Sequence, residues 1–304
     1  IGCVQGCQGE NSKGNHVRCL VNPCTAMETE YDLSPSAEKK NVWIVGGGVS
    51  GCYAAIAAAH RGHSVTLFER NAQLGGQWNL AAVPLCKSGF ASLVRWQAQE
   101  LMRLGVELEL NHTVTAEEVR QAAPDAVLIA TGSVPLIPPI SGLKEGLAAG
   151  WVVTAHDVLA GRVSAKHNIV VIGGGLVGAE TAELLAADGS QVTLVEMLPE
   201  IVRDGIGNPK MLLIKSLQNH GVTVMTDTKV VFVGEGKLTV EKNGVPQQLT
   251  GVAQIILAAG VRSDQTLVQA LADYKGEVRC IGDAAGTKNG YKNIQEAFEA
   301  GLSL

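Results

Sequence analysis

The sequence predicts an α/β protein built around two similar strand–helix–strand units. One stretch occurs twice without a gap: residues 42–70 read VWIVGGGVSGCYAAIAAAHRGHSVTLFER, and residues 169–197 read IVVIGGGLVGAETAELLAADGSQVTLVEM. Each copy contains an apolar strand, a glycine turn, an alanine-rich helix, a second apolar strand and an acidic residue near its end. A helix between two apolar strands favours parallel pairing of those strands.

Three glycines and one acidic residue recur at the same spacing in both copies. The matching residues are Gly46, Gly48, Gly51 and Glu69 in the first copy and Gly173, Gly175, Gly178 and Glu196 in the second. A helix N-terminus carries unpaired N–H groups and a partial positive charge, so it binds a pyrophosphate when glycines let the backbone approach. A carboxylate at the end of the next strand can accept hydrogen bonds from ribose hydroxyls. We therefore predict two dinucleotide-binding sites; the alternative is two purely structural glycine turns.

Composition and charge exclude several other classes of protein. A length of 304 residues suggests about two domains, and 46% hydrophobic against 17% charged residues allows a large core. The longest apolar runs are interrupted well before the ~18 residues of a membrane span. The net charge of −5 and the lack of any lysine or arginine cluster larger than a pair exclude an electrostatic surface for nucleic acid or anionic lipid.

The chain has seven cysteines, and an odd number in partly apolar surroundings suits a reducing cytoplasm better than a disulfide framework. The sequence shows no signal peptide and does not begin with methionine. We therefore expect a cytoplasmic protein of which this chain is a fragment.

Shorter patterns predict the remaining elements. Helical spacing predicts a helix from about Ser88 to Leu104, and Asn243-Gly244 predicts a hairpin turn. Further strands are predicted at residues 106–110, 126–130, 222–225, 229–233, 237–241, 255–259 and 278–282.

The last predicted strand ends at Asp283, and a helix is predicted from Ile294 to Ala300, with Asn293 and Glu296 resembling a capping pair at its start. These elements are expected to return the chain to the domain that holds the first copy. The predicted domains are a cysteine-rich lead-in over residues 1–40, a first domain over 41–149 and 263–304, and a second domain over 150–262 inserted in the first.

Four separated motifs together resemble the two-dinucleotide-binding flavoproteins of the glutathione reductase type. They are the two glycine turns, Ala130-Thr131-Gly132 and Ile281-Gly282-Asp283, and the resemblance covers about residues 41–304. It implies two Rossmann-like domains, with FAD on the glycines and Glu69 of the first unit and NAD(P)H on the glycines and Glu196 of the second. It also implies that Asp283 holds the ribityl chain of the flavin and that Thr131 and Gly132 line the FAD site.

The same resemblance suggests cofactor roles for three more side chains. Glu180 corresponds to a position near the nicotinamide, Arg70 could lie over the adenine, and Gln77 could contact the flavin. The alternatives are a solvent-facing helix carboxylate for Glu180 and an exposed arginine for Arg70. NADH is favoured over NADPH because Glu196 is followed by Met197 and Leu198, so that a 2′-phosphate would meet a carboxylate before any cation.

The cysteine-rich lead-in narrows the resemblance further. Cys3, Cys7, Cys19 and the following Leu20-Val21-Asn22-Pro23 are similar to the iron–sulfur segment of multidomain relatives of old yellow enzyme, such as 2,4-dienoyl-CoA reductase, 2-enoate reductase and trimethylamine dehydrogenase. The resemblance implies that these three cysteines bind a 4Fe-4S cluster in a longer parent, whose fourth cysteine would lie just before Ile1. Ordinary thiols or an adventitious metal site are the alternative.

The resemblance implies that hydride passes from NADH to FAD and that electrons continue through the cluster to FMN in an N-terminal barrel domain of the parent chain. That barrel would reduce an enoate or an enoyl thioester, so no acid, base or nucleophile of this chain is assigned as catalytic. Three alternatives stay open: a disulfide reductase, which lacks a redox CxxC pair here, a glutamate synthase small subunit, and a scaffold that holds ADP, as in the amine dehydrogenase relatives.

Overall fold

The computed structural model describes all 304 residues. The strands are β1 Asn41–Val45, β2 Ser64–Glu69, β3 Glu107–Leu110, β4 Ala126–Ile129, β5 Ser133–Pro135, β6 Val152–Thr154, β7 Asn168–Ile172, β8 Gln191–Val195, β9 Thr223–Met225, β10 Thr228–Gly234, β11 Lys237–Lys242, β12 Val245–Thr250, β13 Gln254–Leu257, β14 Val261–Ser263 and β15 Glu277–Cys280. The α-helices are α1 Gln8–Asn11, α2 Val49–His60, α3 Gln77–Ala81, α4 Ala91–Arg103, α5 Ala116–Ala122, α6 Leu143–Ala149, α7 Ala155–Leu159, α8 Leu176–Ala187, α9 Gly207–Asn219, α10 Thr266–Ala270 and α11 Gly290–Leu302.

The chain folds into two compact units. Unit 1 comprises Ile1–Ala82, Lys87–Val134 and Arg262–Leu304, and unit 2 comprises Val83–Cys86 and Pro135–Val261. Residues 135–149, predicted to belong to the first domain, are grouped with unit 2 in the structure. The reason is helix α6, whose Leu143 is fully buried in one core cluster with Val152 and Val230.

A five-stranded parallel sheet in the order β15-β4-β1-β2-β3 forms the centre of unit 1. Helix α2 is buried along most of its length because its residues are small and apolar. This allows α11 to pack closely, to the point that a Cβ on Gly301 would overlap the carbonyl oxygen of Ala54. The close packing fixes α11 beside the helix that follows the first glycine turn.

Unit 2 repeats this arrangement with a parallel sheet in the order β6-β13-β7-β8-β9 and adds an antiparallel sheet, β10-β11-β12. The predicted hairpin at Asn243-Gly244 is confirmed, because both residues have positive φ (52° and 77°) and connect β11 to β12. Strand β12 is not predicted from the sequence, since its mostly exposed residues do not alternate between apolar and polar.

The segment before β1 contains little regular structure beyond α1, yet it packs into unit 1. Leu20 is fully buried in a cluster that includes Tyr53 and Phe298. The Tyr53 hydroxyl donates a hydrogen bond to the Val21 carbonyl (2.5 Å), and Arg18 Nη2 donates to Gln295 Oε1 (2.6 Å). The segment is therefore held against α2 and α11. None of the helices has the length and apolar character that a membrane-spanning helix needs.

Candidate functional site

The glycine turn of unit 1 lies at the point where the strand order of its sheet reverses, between β1 and β4. Strands β2 and β3 follow on one side of β1 and β4 lies on the other, and ligands of such sheets bind outside the carboxyl ends of the strands at this point. Gly46 has a φ of +115°, and a Cβ there would overlap the Ala130 carbonyl oxygen at the end of β4. A Cβ on Gly51 would overlap the Gly46 carbonyl oxygen. Packing within the protein therefore requires glycine at both positions.

Gly48 differs from these two glycines because nothing in the protein requires it. Its φ of −68° suits any residue, and a Cβ built on it meets no atom within 4 Å. Gly48 is the N-cap of α2, and because glycine has no side chain, the first N–H groups of α2 donate to no capping side chain. The turn thus leaves open space in front of a helix N-terminus, which is the arrangement that binds a phosphate.

The acidic residue predicted at the end of β2 is hydrogen-bonded to the glycine turn of unit 1. Glu69 is 5% exposed, and its Oε2 accepts a hydrogen bond from Gly47 N (2.8 Å). Its Oε1 accepts from the backbone and side-chain nitrogens of Asn71 (2.8 and 2.6 Å). Gly47, which was not predicted as a site residue, is closely packed, because a Cβ there would lie 2.6 Å from Leu74 Cδ2 and 3.0 Å from Glu69 Cβ.

Unit 2 reproduces this geometry. A Cβ on Gly173 would overlap the Ala258 carbonyl oxygen, and one on Gly178 would overlap the Gly173 carbonyl oxygen, while Gly175 again has an ordinary φ (−64°) and open space. Glu196 is 8% exposed, and its Oε2 accepts a hydrogen bond from Gly174 N (2.6 Å). The two copies are therefore alike in three dimensions as well as in sequence.

A second glycine pair borders the turn of unit 1. Gly75 N donates to the Gly47 carbonyl (2.8 Å), so the Gly75-Gly76 backbone lies against the first turn. The next residue, Gln77, donates from Nε2 to the hydroxyl of Ser133 (2.8 Å) and to its carbonyl (3.0 Å). Gln77 is thereby fixed beside the strand end where Thr131 and Gly132 were predicted to line a site.

Asp283 belongs to the same hydrogen-bonded group. Its Oδ2 accepts from the Ser133 hydroxyl (3.0 Å), and its Oδ1 accepts from Asn293 Nδ2 (2.6 Å) and Lys288 N (3.2 Å). Gly282 brings it there, since a Cβ on Gly282 would lie 2.7 Å from Ser50 Oγ in the first turn of α2. A carboxylate accepts about four hydrogen bonds, so Asp283 keeps capacity for one hydroxyl donor.

The predicted capping pair is wrong. Helix α11 begins at Gly290, and its N-cap is Asn289, whose Oδ1 accepts from Lys292 N (3.0 Å). Asn293 instead lies within the helix and orients Asp283. Sequence reasoning missed Asn293 and Ser133 as members of this group, because neither belongs to a glycine motif.

The other predicted residues fall in different environments. Arg70 is exposed, directly after β2. Thr131 donates from its hydroxyl to the Asp264 carbonyl (2.7 Å), which ties β4 to the returning chain. Glu180 is 7% exposed on α8, so its alternative as a solvent-facing carboxylate is wrong.

All seven cysteines are free thiols, and no group of three or more histidine, cysteine, aspartate or glutamate residues is placed to hold a metal ion. Burial raises the pKa of the Cys3 thiol, and the nearby Cys7 and Cys19 raise it further. A four-iron cluster takes four thiolates. These three cysteines are near one another but do not form a complete cluster site.

Known proteins share both the sequence and the fold. The model of the pyridine nucleotide-disulphide oxidoreductase family matches residues 40–301. The chain is 39% identical to a bilirubin reductase of Mediterraneibacter gnavus, covering 92% of this chain and 43% of that protein. It is 38% identical to an NADH oxidase of Thermoanaerobacter brockii and 34% identical to a cinnamate reductase of Clostridium sporogenes, covering 100% of this chain and 46% and 45% of those proteins.

A solved structure of 2-naphthoyl-CoA reductase with 2-naphthoyl-CoA superimposes with a TM-score of 0.93 at 30% identity, covering 99% of this chain and 46% of that one. The chain thus spans less than half the length of these relatives. It belongs to the pyridine nucleotide-disulphide oxidoreductase family and corresponds to the FAD- and NAD(P)H-binding part of the old yellow enzyme-like reductases.

Proposed function

We propose that unit 1 binds FAD, that unit 2 binds NADH, and that the chain passes a hydride from the nicotinamide to the flavin. One observation carries this proposal. Gly48 and Gly175 are glycines at which neither backbone conformation nor packing calls for glycine, and both stand in front of a helix N-terminus. A ligand that approaches the backbone closely explains both.

The residues of unit 1 fit FAD in three places. The open side of Gly48 and the N-terminus of α2 would receive the pyrophosphate, and Glu69 would accept from the adenosine ribose. Asp283, oriented by Ser133 and Asn293, would accept from a ribityl hydroxyl. When bound, FAD supplies the ring that takes up the hydride, and the protein supplies binding and orientation. Gln77 and Gly132 would border that ring.

In unit 2 the same parts would receive NADH, with the pyrophosphate at Gly175 and the ribose at Glu196. We propose NADH rather than NADPH because Glu196 is buried and followed by Met197 and Leu198, so a 2′-phosphate would face a carboxylate. The name of the NADH oxidase relative agrees with this preference. Glu180, buried on α8, would lie near the nicotinamide.

We further propose that the parent protein is longer and carries an FMN barrel with a 4Fe-4S cluster between the two flavins. The curated relatives are more than twice as long as this chain, and two are named for reduction of bilirubin and cinnamate. The solved relative holds an aromatic acyl-CoA. An enoate or an enoyl thioester is therefore the proposed substrate of the parent.

The flavin's own absorbance tests the proposal. The chain, purified and incubated with FAD, should retain a visible flavin band that bleaches when NADH is added under anaerobic conditions. NADPH should bleach it more slowly. A colourless protein that retains ADP would instead support the scaffold alternative.

Asp283 argues against the scaffold, because its remaining hydrogen-bond capacity would be filled by a ribityl hydroxyl, which ADP lacks. The disulfide reductase alternative requires a redox cysteine pair near the flavin. Gln77 and Trp78 follow the second glycine pair instead, and all cysteines are free.

A further inference from the structure

The two glycine turns differ at the first amide of the following helix. In unit 2, Leu176 N at the start of α8 donates to the carboxylate of Asp204, at 3.1 Å to Oδ1 and 3.4 Å to Oδ2. In unit 1 the corresponding amide, Val49 N, donates a hydrogen bond to no carboxylate. The glycines and the acidic residues of the two turns otherwise match, so Asp204 is a specific addition to unit 2.

The segment that carries Asp204 is fixed to the glycine turn. Val202 is fully buried, and its N–H donates to the Gly174 carbonyl (2.7 Å). Its φ of +53° lies in a region that β-branched residues rarely adopt. Gly205 N donates back to the Val202 carbonyl (3.0 Å), which closes a turn around Asp204. The exposed carboxylate of Asp204 therefore lies at the N-terminus of α8, while the nearby Val202 is buried and holds the segment in place.

We propose that Asp204 competes with the dinucleotide pyrophosphate for the N-terminus of α8 and so sets the nucleotide affinity of unit 2. The proposal rests on the proposed function of unit 2. A carboxylate at this position satisfies an unpaired N–H and the positive end of the helix dipole, which are the features that a pyrophosphate uses. The Asp204 carboxylate and a pyrophosphate cannot occupy the N-terminus of α8 at the same time. Because Asp204 is exposed, its side chain can leave while Val202 remains in place.

Competition has a signature that a purely structural cap does not share. Removing a cap lowers the stability of the nucleotide-free protein in either case, because α8 loses a hydrogen bond. Only a competitor, when removed, also tightens nucleotide binding. Loss of stability combined with gain of affinity therefore identifies the role of Asp204.

The test compares Asp204→Ala and Asp204→Asn with the wild-type chain loaded with FAD. NAD⁺ and ADP-ribose serve as probes because neither reduces the flavin, and calorimetry gives their Kd values. We expect Asp204→Ala to bind both probes about fivefold more tightly, a change within the range of a helix cap. Asp204→Asn should fall between, since its amide can still cap the helix without the charge. The melting temperature without nucleotide should fall in Asp204→Ala.

Asp188→Ala is the matched control, because it removes the same charge from the other end of α8. It should change neither Kd. FAD affinity, which depends on unit 1, should be the same in all variants. Unchanged or weaker probe binding by both Asp204 variants, with a wild type that binds, would overturn the competition alone. Failure of every variant to bind either probe would contradict the nucleotide site of unit 2 itself and the competition with it.

Discussion

At Gly48 and Gly175, a single substitution should weaken ligand binding and leave the stability of the fold almost unchanged. A Cβ on either glycine meets no protein atom, so Gly48→Ala should change the free energy of unfolding by no more than about 1 kcal/mol. The same Cβ would stand in the path of a pyrophosphate. We expect FAD affinity to fall at least about tenfold, a loss of ~1.4 kcal/mol, in fluorescence titrations.

Gly175→Ala is the matched variant and should lower the affinity for NAD⁺ while leaving the affinity for FAD unchanged. Gly47→Ala provides the contrast, because its Cβ would lie 2.6 Å from Leu74 Cδ2 and should destabilise unit 1 by about 1–3 kcal/mol. Wild-type FAD affinity in Gly48→Ala would contradict the assignment of this turn to the pyrophosphate.

The sequence predicts those residues of the site that share one strand–helix–strand unit. The glycines and Glu69 lie within 24 consecutive positions of the repeated stretch, so local spacing fixes their relation. Ser133 and Asp283 are 150 positions apart, and only the return of the chain to the first sheet brings them within 3.0 Å. Asp204 likewise reaches α8 through a turn that no periodic pattern marks.

At the scale of elements, α11 shows why a sequence pattern can misplace the start of a helix. The helix was predicted over 294–300 and is observed over 290–302. Gly290 in its first turn is a poor helix former, so helical spacing became recognisable only one turn later. Asn289 sets the true start because its side chain accepts from Lys292 N.

Replacement of the observed cap should therefore cost more than replacement of the predicted one. Asn289→Ala should lower the free energy of unfolding by about 1 kcal/mol, the usual value of an N-cap. Glu296→Gln removes only an exposed ion pair with Lys288 and should cost less than about 0.5 kcal/mol. Urea unfolding followed by circular dichroism measures both, and a larger loss in Glu296→Gln would favour the sequence-based boundary.

At the scale of the whole molecule, the duplicated stretch predicts two α/β units, and the structure explains how one chain makes both. The core clusters of unit 2 draw only on residues between 140 and 259. Every core cluster of unit 1, by contrast, includes residues from the last segment, such as Ile281, Leu271 and Phe298. Apart from Val83–Cys86, unit 2 is thus one continuous segment inserted in unit 1, whereas unit 1 is complete only after the chain returns.

This difference predicts how fragments fold. Residues 135–261 alone should unfold cooperatively in urea and bind ADP-ribose, because their cores are self-contained. Residues 1–134 alone should not fold, since β15 is missing beside β4 and α11 beside α2. Joining 1–134 to 262–304 through a short glycine-serine linker should restore cooperative unfolding and FAD binding. The linker can be short because Asp264 N donates to the Gly132 carbonyl (2.9 Å), which holds the two ends together. Cooperative unfolding of 1–134 by itself would show that the last segment is not needed for the core of unit 1.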